Sequence, residues 1–296
     1  MTVEEIRIPT VDGVMLGGTF HPTPQAVGVV VISSALGVPR QFYRALAEHL
    51  AQAGLAVLRY DYRGINGSGG DQVDPNDARM SDWGELDLDA ALQYASDRCP
   101  GLPLVALGHS AGGQLLGLAA RSAQLRAAVM ISSASAWWRN YQGLQRWKIW
   151  LVFHLLIPLF CMGRSMFPAR KLGISTVDVP AGVCRQWSRW GRLPGYLVDP
   201  AAGTETDGYR GLAVPLLAVS IEDDDYAPEP AVEALTAVYP GCQVERHHIG
   251  RGERIGHFGF FRPRQGAAHW DFLSDWLYKK CTSQEPDSEL SAADAG

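Results

Sequence analysis

The sequence predicts an α/β domain: a mostly parallel sheet flanked by helices, with a helical insertion. Three observations carry the prediction. Short apolar, β-branched runs alternate with segments of helical spacing along most of the chain. Strand–helix–strand alternation of this kind requires crossover connections, hence parallel pairing. The alternation lapses from about Ser135 to Gly211 and then resumes. With 296 residues, 47% of them hydrophobic, the chain is long and apolar enough to fill one large core.

The elements read in order as follows. Ile6–Pro9 and Val14–Phe20 are two strands split by the Asp12-Gly13 turn. Ala26–Ser33 is a continuous β-branched run, the signature of a strand buried on both faces. Phe42, Leu46 and Leu50 recur at helical spacing until Gly54 ends the helix. A strand at Leu55–Asp61, a helix at Ser81–Arg98, a strand at Leu102–Gly108, a helix from Ala111 and a strand at Ala127–Ser132 continue the pattern. After the lapse come a strand at Val214–Ile221, a helix from Pro228, a strand at Cys242–Ile249 and a last helix from about Gly266 to Lys280. The predicted organisation is a core of residues 1–134 and 212–282, an insertion at 135–211 and a loose acidic tail at 283–296. The insertion holds six of the nine tryptophans (Trp137, Trp138, Trp147, Trp150, Trp187, Trp190) and no clear strand. Its run Ile149–Met162 reads as a buried or half-buried helix; membrane contact through it is the less favoured expectation.

Composition excludes several function classes. A net charge of −5 leaves no basic footprint for nucleic acid. The five cysteines form no C-x-x-C pair, so neither a metal site nor a disulfide framework is expected. No P-loop occurs and no G-x-G-x-x-G follows a strand, so no cofactor is expected. The segment MTVEEIRIPTVDG has no apolar signal core, and the expected compartment is a reducing cytoplasm.

One motif carries chemistry. Gly108-His109-Ser110-Ala111-Gly112 fits G-x-S-x-G, with an apolar strand before it and a helical run after it. Small residues let the backbone turn sharply and leave the Ser110 hydroxyl exposed, while the Ala111 N–H at the helix start faces a developing oxyanion. A serine hydroxyl is a weak nucleophile without a base, and the base needs an orienting acid. His257, between Gly256 and Phe258 after the last strand, is the expected base. His247 and His248 lie inside a strand, His269 lies on the final helix, and His109 is too close in sequence to turn back on Ser110. The acid falls in the loop Glu222-Asp223-Asp224-Asp225, where the spacing to Pro228 selects Asp224, with Asp223 second.

These residues resemble the α/β-hydrolase superfamily from about residue 1 to 280. The likeness rests on GHSAGG (Gly108–Gly113), DYRG (Asp61–Gly64), the acidic loop at Asp223–Asp225 and GHFGFF (Gly256–Phe261). GVPRQFYRALAEHLAQAGLAVLRYDYRG and PAGVCRQWSRW further resemble hydrolases near the serine-aminopeptidase and monoacylglycerol-lipase-like branch. The resemblance implies an α/β-hydrolase fold and a lid formed by the insertion, with Trp137, Trp138, Trp187 and Trp190 as candidates to line an apolar pocket. It also implies a second oxyanion donor after the third strand. The usual His-Gly pair is replaced there by Ser33-Ser34-Ala35-Leu36-Gly37, so the donor is expected among Ser34–Leu36, with Ala35 first. Asp61 and Arg63 are expected to be scaffold. The function implied is a serine hydrolase acting on a small carboxylic ester with an apolar acyl or alcohol part. The alternatives are acyl transfer or amide and peptide hydrolysis on the same residues, and a non-enzymatic binding protein on a hydrolase scaffold.

Overall fold

A computed structural model describes residues 3–172 and 174–283; all but the first residue of the tail expected at 283–296 lies outside the described residues. Ten strands form in chain order: β1 (Glu4–Pro9), β2 (Met15–His21), β3 (Val29–Ser33), β4 (Ala56–Tyr60), β5 (Leu104–His109), β6 (Ala127–Ile131), β7 (Met166–Phe167), β8 (Val179–Pro180), β9 (Pro215–Ile221) and β10 (Gln243–Ile249). Eight of them make one sheet in the order β1-β2-β4-β3-β5-β6-β9-β10. β1 and β2 pair antiparallel, as do β2 and β4, and every pairing from β4 to β10 is parallel.

Burial explains the composition of the strands. β3, β4, β5 and β6 are buried along their whole length, so both faces must be apolar. Val30, Val57, Val105 and Val129 pack on one face against Leu46 and Leu50 of helix Arg44–Gln52 and against Leu273 and Leu277 of helix Trp270–Thr282. Val29, Val31, Leu58 and Ala106 pack on the other face with Leu88 and Leu92 of the helical segment 80–98. Asp61 and Arg63 are scaffold as expected. Asp61 accepts from the Arg40 backbone N–H and guanidinium, and Arg63 pairs with both Asp87 and Asp12, tying the end of β4 to the first hairpin.

Two local expectations are corrected. The helix expected from Ala111 lasts only from Ala111 to Gln114 and gives way to 3-10 turns. Gly117 lies there against the Tyr209 ring, where a Cβ would come within 2.4 Å. The insertion is mainly helical (Gly143–Cys161, Ala181–Gly191 and Asp207–Gly211) but also holds the antiparallel pair β7–β8. Two-residue strands carry no alternation to read.

Parallel pairing sends the C-terminal ends of β3, β5, β6, β9 and β10 to one edge. Four loops meet there: residues 34–37, the turn at Ser110, residues 222–228 and residues 250–259. Side chains at this edge of an open α/β sheet are held by the rigid strands behind them.

Candidate active site

Ser110 sits at the end of β5 with φ +51° and ψ −113°, a combination L-residues adopt only under strain. Its N–H donates to the Ile131 carbonyl of the next strand at 3.0 Å. The flanking glycines are forced by close approach. A Cβ on Gly108 would lie 2.3 Å from the Gly113 nitrogen, and one on Gly112 would lie 2.2 Å from the Ser33 carbonyl oxygen. The turn is thereby locked between β3, β5 and β6.

Parallel pairing of β9 with β10, Ile221 opposite Ile249, brings the loop after β9 beside the loop after β10. The three aspartates then take different positions. Asp223 accepts from the Gly256 N–H at 2.9 Å, and Asp225 offers its carbonyl to Gln145. Asp224 is buried and faces His257: the ring Nδ1 lies 2.8 Å from Oδ2 and 3.0 Å from Oδ1. Oδ1 also accepts from the Tyr226 and Ala227 N–H groups at 2.8 and 3.0 Å. Burial pushes this carboxyl up, but the His257 charge and these bonds outweigh it and hold Asp224 below the ordinary aspartate value. With Nδ1–H donated to a carboxylate, His257 keeps Nε2 as its acceptor.

His257 and Ser110 line one cavity, and no hydrogen bond joins the two side chains among the described residues. Tyr226 and Phe258 hold the His257 ring, with centroids 5.2 and 4.9 Å away. His247 and His248, set aside in the sequence, are elsewhere. His247 stacks on Phe272, and His248 bonds Ser220 and Glu222. Among the described residues no cluster of His, Cys, Asp or Glu is arranged to hold a metal.

The loop after β3 departs from expectation. The Ala35 N–H donates to Tyr43 Oη at 2.8 Å and so is engaged away from Ser110. Among the described residues no acceptor takes the N–H of Leu36 or of Ala111, and Leu36, Ala111's neighbour Ser110 and His257 meet at the cavity. Tyr43 was invisible in the sequence, being one aromatic in a helical run. It continues to His109: Tyr43 Oη lies 2.9 Å from His109 Nδ1, and His109 Nε2 lies 2.9 Å from the His257 carbonyl oxygen. Complete burial keeps the His109 ring far below its ordinary pKa, hence neutral. A carbonyl only accepts, so Nε2 carries the proton, Nδ1 is an acceptor and the Tyr43 hydroxyl donates to it.

The cavity has a volume of about 180 Å³. Its walls are mostly apolar: Ala134, Ala136, Ile149, Val152, Phe153, Ile157 and Phe167 among others. Gln114 and Trp187 also line it but satisfy each other through Tyr196: Trp187 Nε1–H donates to Tyr196 Oη and Tyr196 O–H to Gln114 Oε1. Of the four tryptophans considered in the sequence, only Trp187 lines this cavity. Trp190 is buried and donates to the Ala202 carbonyl, and Trp137 and Trp138 lie against Arg139. The insertion is latched to the loop after β9 by Tyr141, whose hydroxyl donates to the Tyr226 carbonyl at 2.9 Å.

The architecture is the α/β-hydrolase fold. Residues 24–166 match the family model described as serine aminopeptidase, S33. A monoacylglycerol lipase of Mycolicibacterium smegmatis is 34% identical over 97 residues, a match that spans 33% of this chain and 34% of the lipase. Among solved structures, an esterase of Pyrococcus furiosus superposes with a TM-score of 0.63 at 17% identity, covering 94% of this chain and 91% of that one. A carboxyl esterase of Bacillus coagulans gives 0.65 at 13% identity, covering 94% and 97%. The chain has the α/β-hydrolase fold, its N-terminal part is similar in sequence to the serine aminopeptidase S33 family, and it is similar to a monoacylglycerol lipase of which it spans about a third.

Proposed function

We propose that this protein is a serine hydrolase of carboxylic esters that carry an apolar acyl or alcohol part. The observation that carries the reading is the buried Asp224–His257 hydrogen bond, 2.8 Å long, on the wall of the cavity that also contains the strained Ser110. In this reading His257 Nε2 takes the Ser110 proton as Oγ attacks the ester carbonyl, and Asp224 stabilises the imidazolium. The N–H groups of Ala111 and Leu36 hold the tetrahedral oxyanion, Leu36 replacing Ala35 because the Ala35 N–H is engaged by Tyr43. Collapse expels the alcohol, protonated by His257, and leaves an acyl-Ser110 ester. Water, deprotonated by His257, attacks that ester and releases the acid. The apolar walls favour an apolar substrate portion and exclude water around the developing charge. That the similar proteins are a lipase and esterases supports the same reaction class.

The test is turnover of p-nitrophenyl esters of graded acyl length, with labelling by a fluorophosphonate probe. Wild type should turn over and label, and Ser110→Ala should do neither. A wild type inert to both reagents, or a Ser110→Ala variant that keeps its rate, overturns the reading.

A further inference from the structure

Helix Gly143–Cys161 carries apolar side chains on two opposite faces. Ile149, Phe153 and Ile157 are buried and line the cavity. On the other side Leu144, Trp147, Leu151, Leu155, Leu159 and Met162 follow one another at steps of three or four residues, the spacing of a single helical face. All six are exposed, from 39% for Leu151 to 80% for Leu144. A row of this size left in water marks an interaction surface.

Along this stretch of chain the charges are mostly of one sign; the acids that lie against it are Asp178, whose carboxylate accepts from the Arg170 N–H, and Asp225, whose carbonyl accepts from Gln145. No Asp or Glu occurs between Arg98 and Asp178, in a chain whose net charge is −5. Lys148 is exposed on the helix, Arg164 is exposed three residues past its end, and Arg170 and Lys171 are exposed further along the chain, after β7. None of the four forms an ion pair among the described residues.

We propose that this face docks the protein on the anionic surface of a phospholipid bilayer, with the helix lying in the interfacial plane. Leucine, methionine and Trp147 enter the headgroup–acyl boundary, where the amphipathic indole is favoured, and the lysine and arginines meet lipid phosphates. The helix is long and apolar enough to cross a membrane, but its inner face is fixed to the protein. Ser188 Oγ–H donates to the Phe153 carbonyl at 2.6 Å, and Phe153 packs on Trp187. Crossing would strip that face from the core, whereas lying flat leaves it in place. A second copy of this chain is the poorer occupant, since a two-fold contact would set the unpaired cations of one patch against those of the other. Ile174, three residues after Lys171, is both exposed and part of the cavity wall.

Co-sedimentation of the full chain with vesicles tests the proposal. Phosphatidylcholine vesicles are compared with vesicles containing about one-third phosphatidylglycerol, at low and high salt. Wild type should pellet with the anionic vesicles at least about tenfold better than with the neutral ones, and high salt should erase that preference. Leu151→Glu/Leu155→Glu should remain in the supernatant with an unchanged thermal melt. Arg170→Glu/Lys171→Glu, outside the helix, should lose the anionic preference alone. A wild type that stays in the supernatant with both vesicles overturns the proposal, as does binding unchanged in both variants. A concentration-dependent dimer in the ultracentrifuge that Leu155→Glu dissolves also overturns it, by assigning the face to a second copy.

Discussion

The His109 ring holds the backbone of His257: Nε2–H donates to the His257 carbonyl at 2.9 Å, from the position next to Ser110. Through Tyr43 the same ring reaches the Ala35 N–H. One neutral imidazole thus joins the serine turn, the loop after β3 and the loop carrying His257. His109→Ala would strand the Tyr43 hydroxyl and the His257 carbonyl in the interior and open a cavity. The expected loss is about 2–4 kcal/mol of stability by urea unfolding. Ester turnover should fall roughly tenfold or more through kcat, with KM little changed, because the loops shift relative to each other. His109→Gln, which can still donate to the His257 carbonyl, should recover part of both. Equal kcat in His109→Ala and wild type would sever this network from the reaction.

Asp223 and Asp224 are adjacent but bonded to different partners, so their amides should behave differently. Asp224→Asn removes the carboxylate facing His257 Nδ1 and favours the wrong imidazole tautomer, and kcat should fall by about three to four orders of magnitude. Asp223→Asn retains an oxygen for the Gly256 N–H and should cost less than about tenfold. Steady-state kinetics on one soluble ester decides the pair. The reverse ranking would make Asp223 the acid.

How much of this was legible before the structure depended on how local the cause was. The parallel strands were readable because burial on both faces demands the β-branched runs at Val29–Ser33 and Ala127–Ile131. Asp224 as the partner of His257 was readable because its carboxylate also organises the turn leading to Pro228 through the Tyr226 and Ala227 N–H groups. The engaged Ala35 N–H was not readable, since it depends on where Tyr43 packs. The short helix after Ser110 ends where the Tyr209 hydroxyl, from far along the chain, donates to the Gln114 carbonyl, a contact that no local pattern announces. The run Ile149–Met162 was expected to be buried or half-buried, and hydropathy could not reveal that one face is covered and the other bare.

His21 supplies a pH dependence with a defined sign. Burial first, and the Arg59 guanidinium next, push its pKa down from 6.5 to about 4, and its ring Nε2 accepts from Arg59 Nε–H at 3.1 Å. Folded His21 stays neutral where the unfolded residue gains a proton. Its contribution is therefore complete above pH 6.5 and is lost as pH falls toward 4. At pH 5 the loss is on the order of 1–2 kcal/mol. Urea unfolding at pH 7 and pH 5 should show wild type losing that much more stability than His21→Gln. Other titrating groups are common to both proteins and cancel in the comparison. Parallel losses in the two proteins would mean that His21 is protonated in the folded state.

The strain at Ser110 predicts opposite effects on stability and activity. At φ +51° and ψ −113° a Cβ is badly accommodated, and holding a non-glycine residue there costs about 1–3 kcal/mol. Glycine accepts such a backbone readily but loses about 0.5–1 kcal/mol through the greater freedom of its unfolded chain. Ser110→Gly should therefore raise stability by about 1 kcal/mol, visible as a higher Tm, while ester turnover and fluorophosphonate labelling disappear. Ser110→Ala keeps the Cβ and hence the strain, so it should lose activity without that gain. A Tm for Ser110→Gly at or below that of Ser110→Ala would show that the turn is relaxed and that no conformational energy is held at the serine.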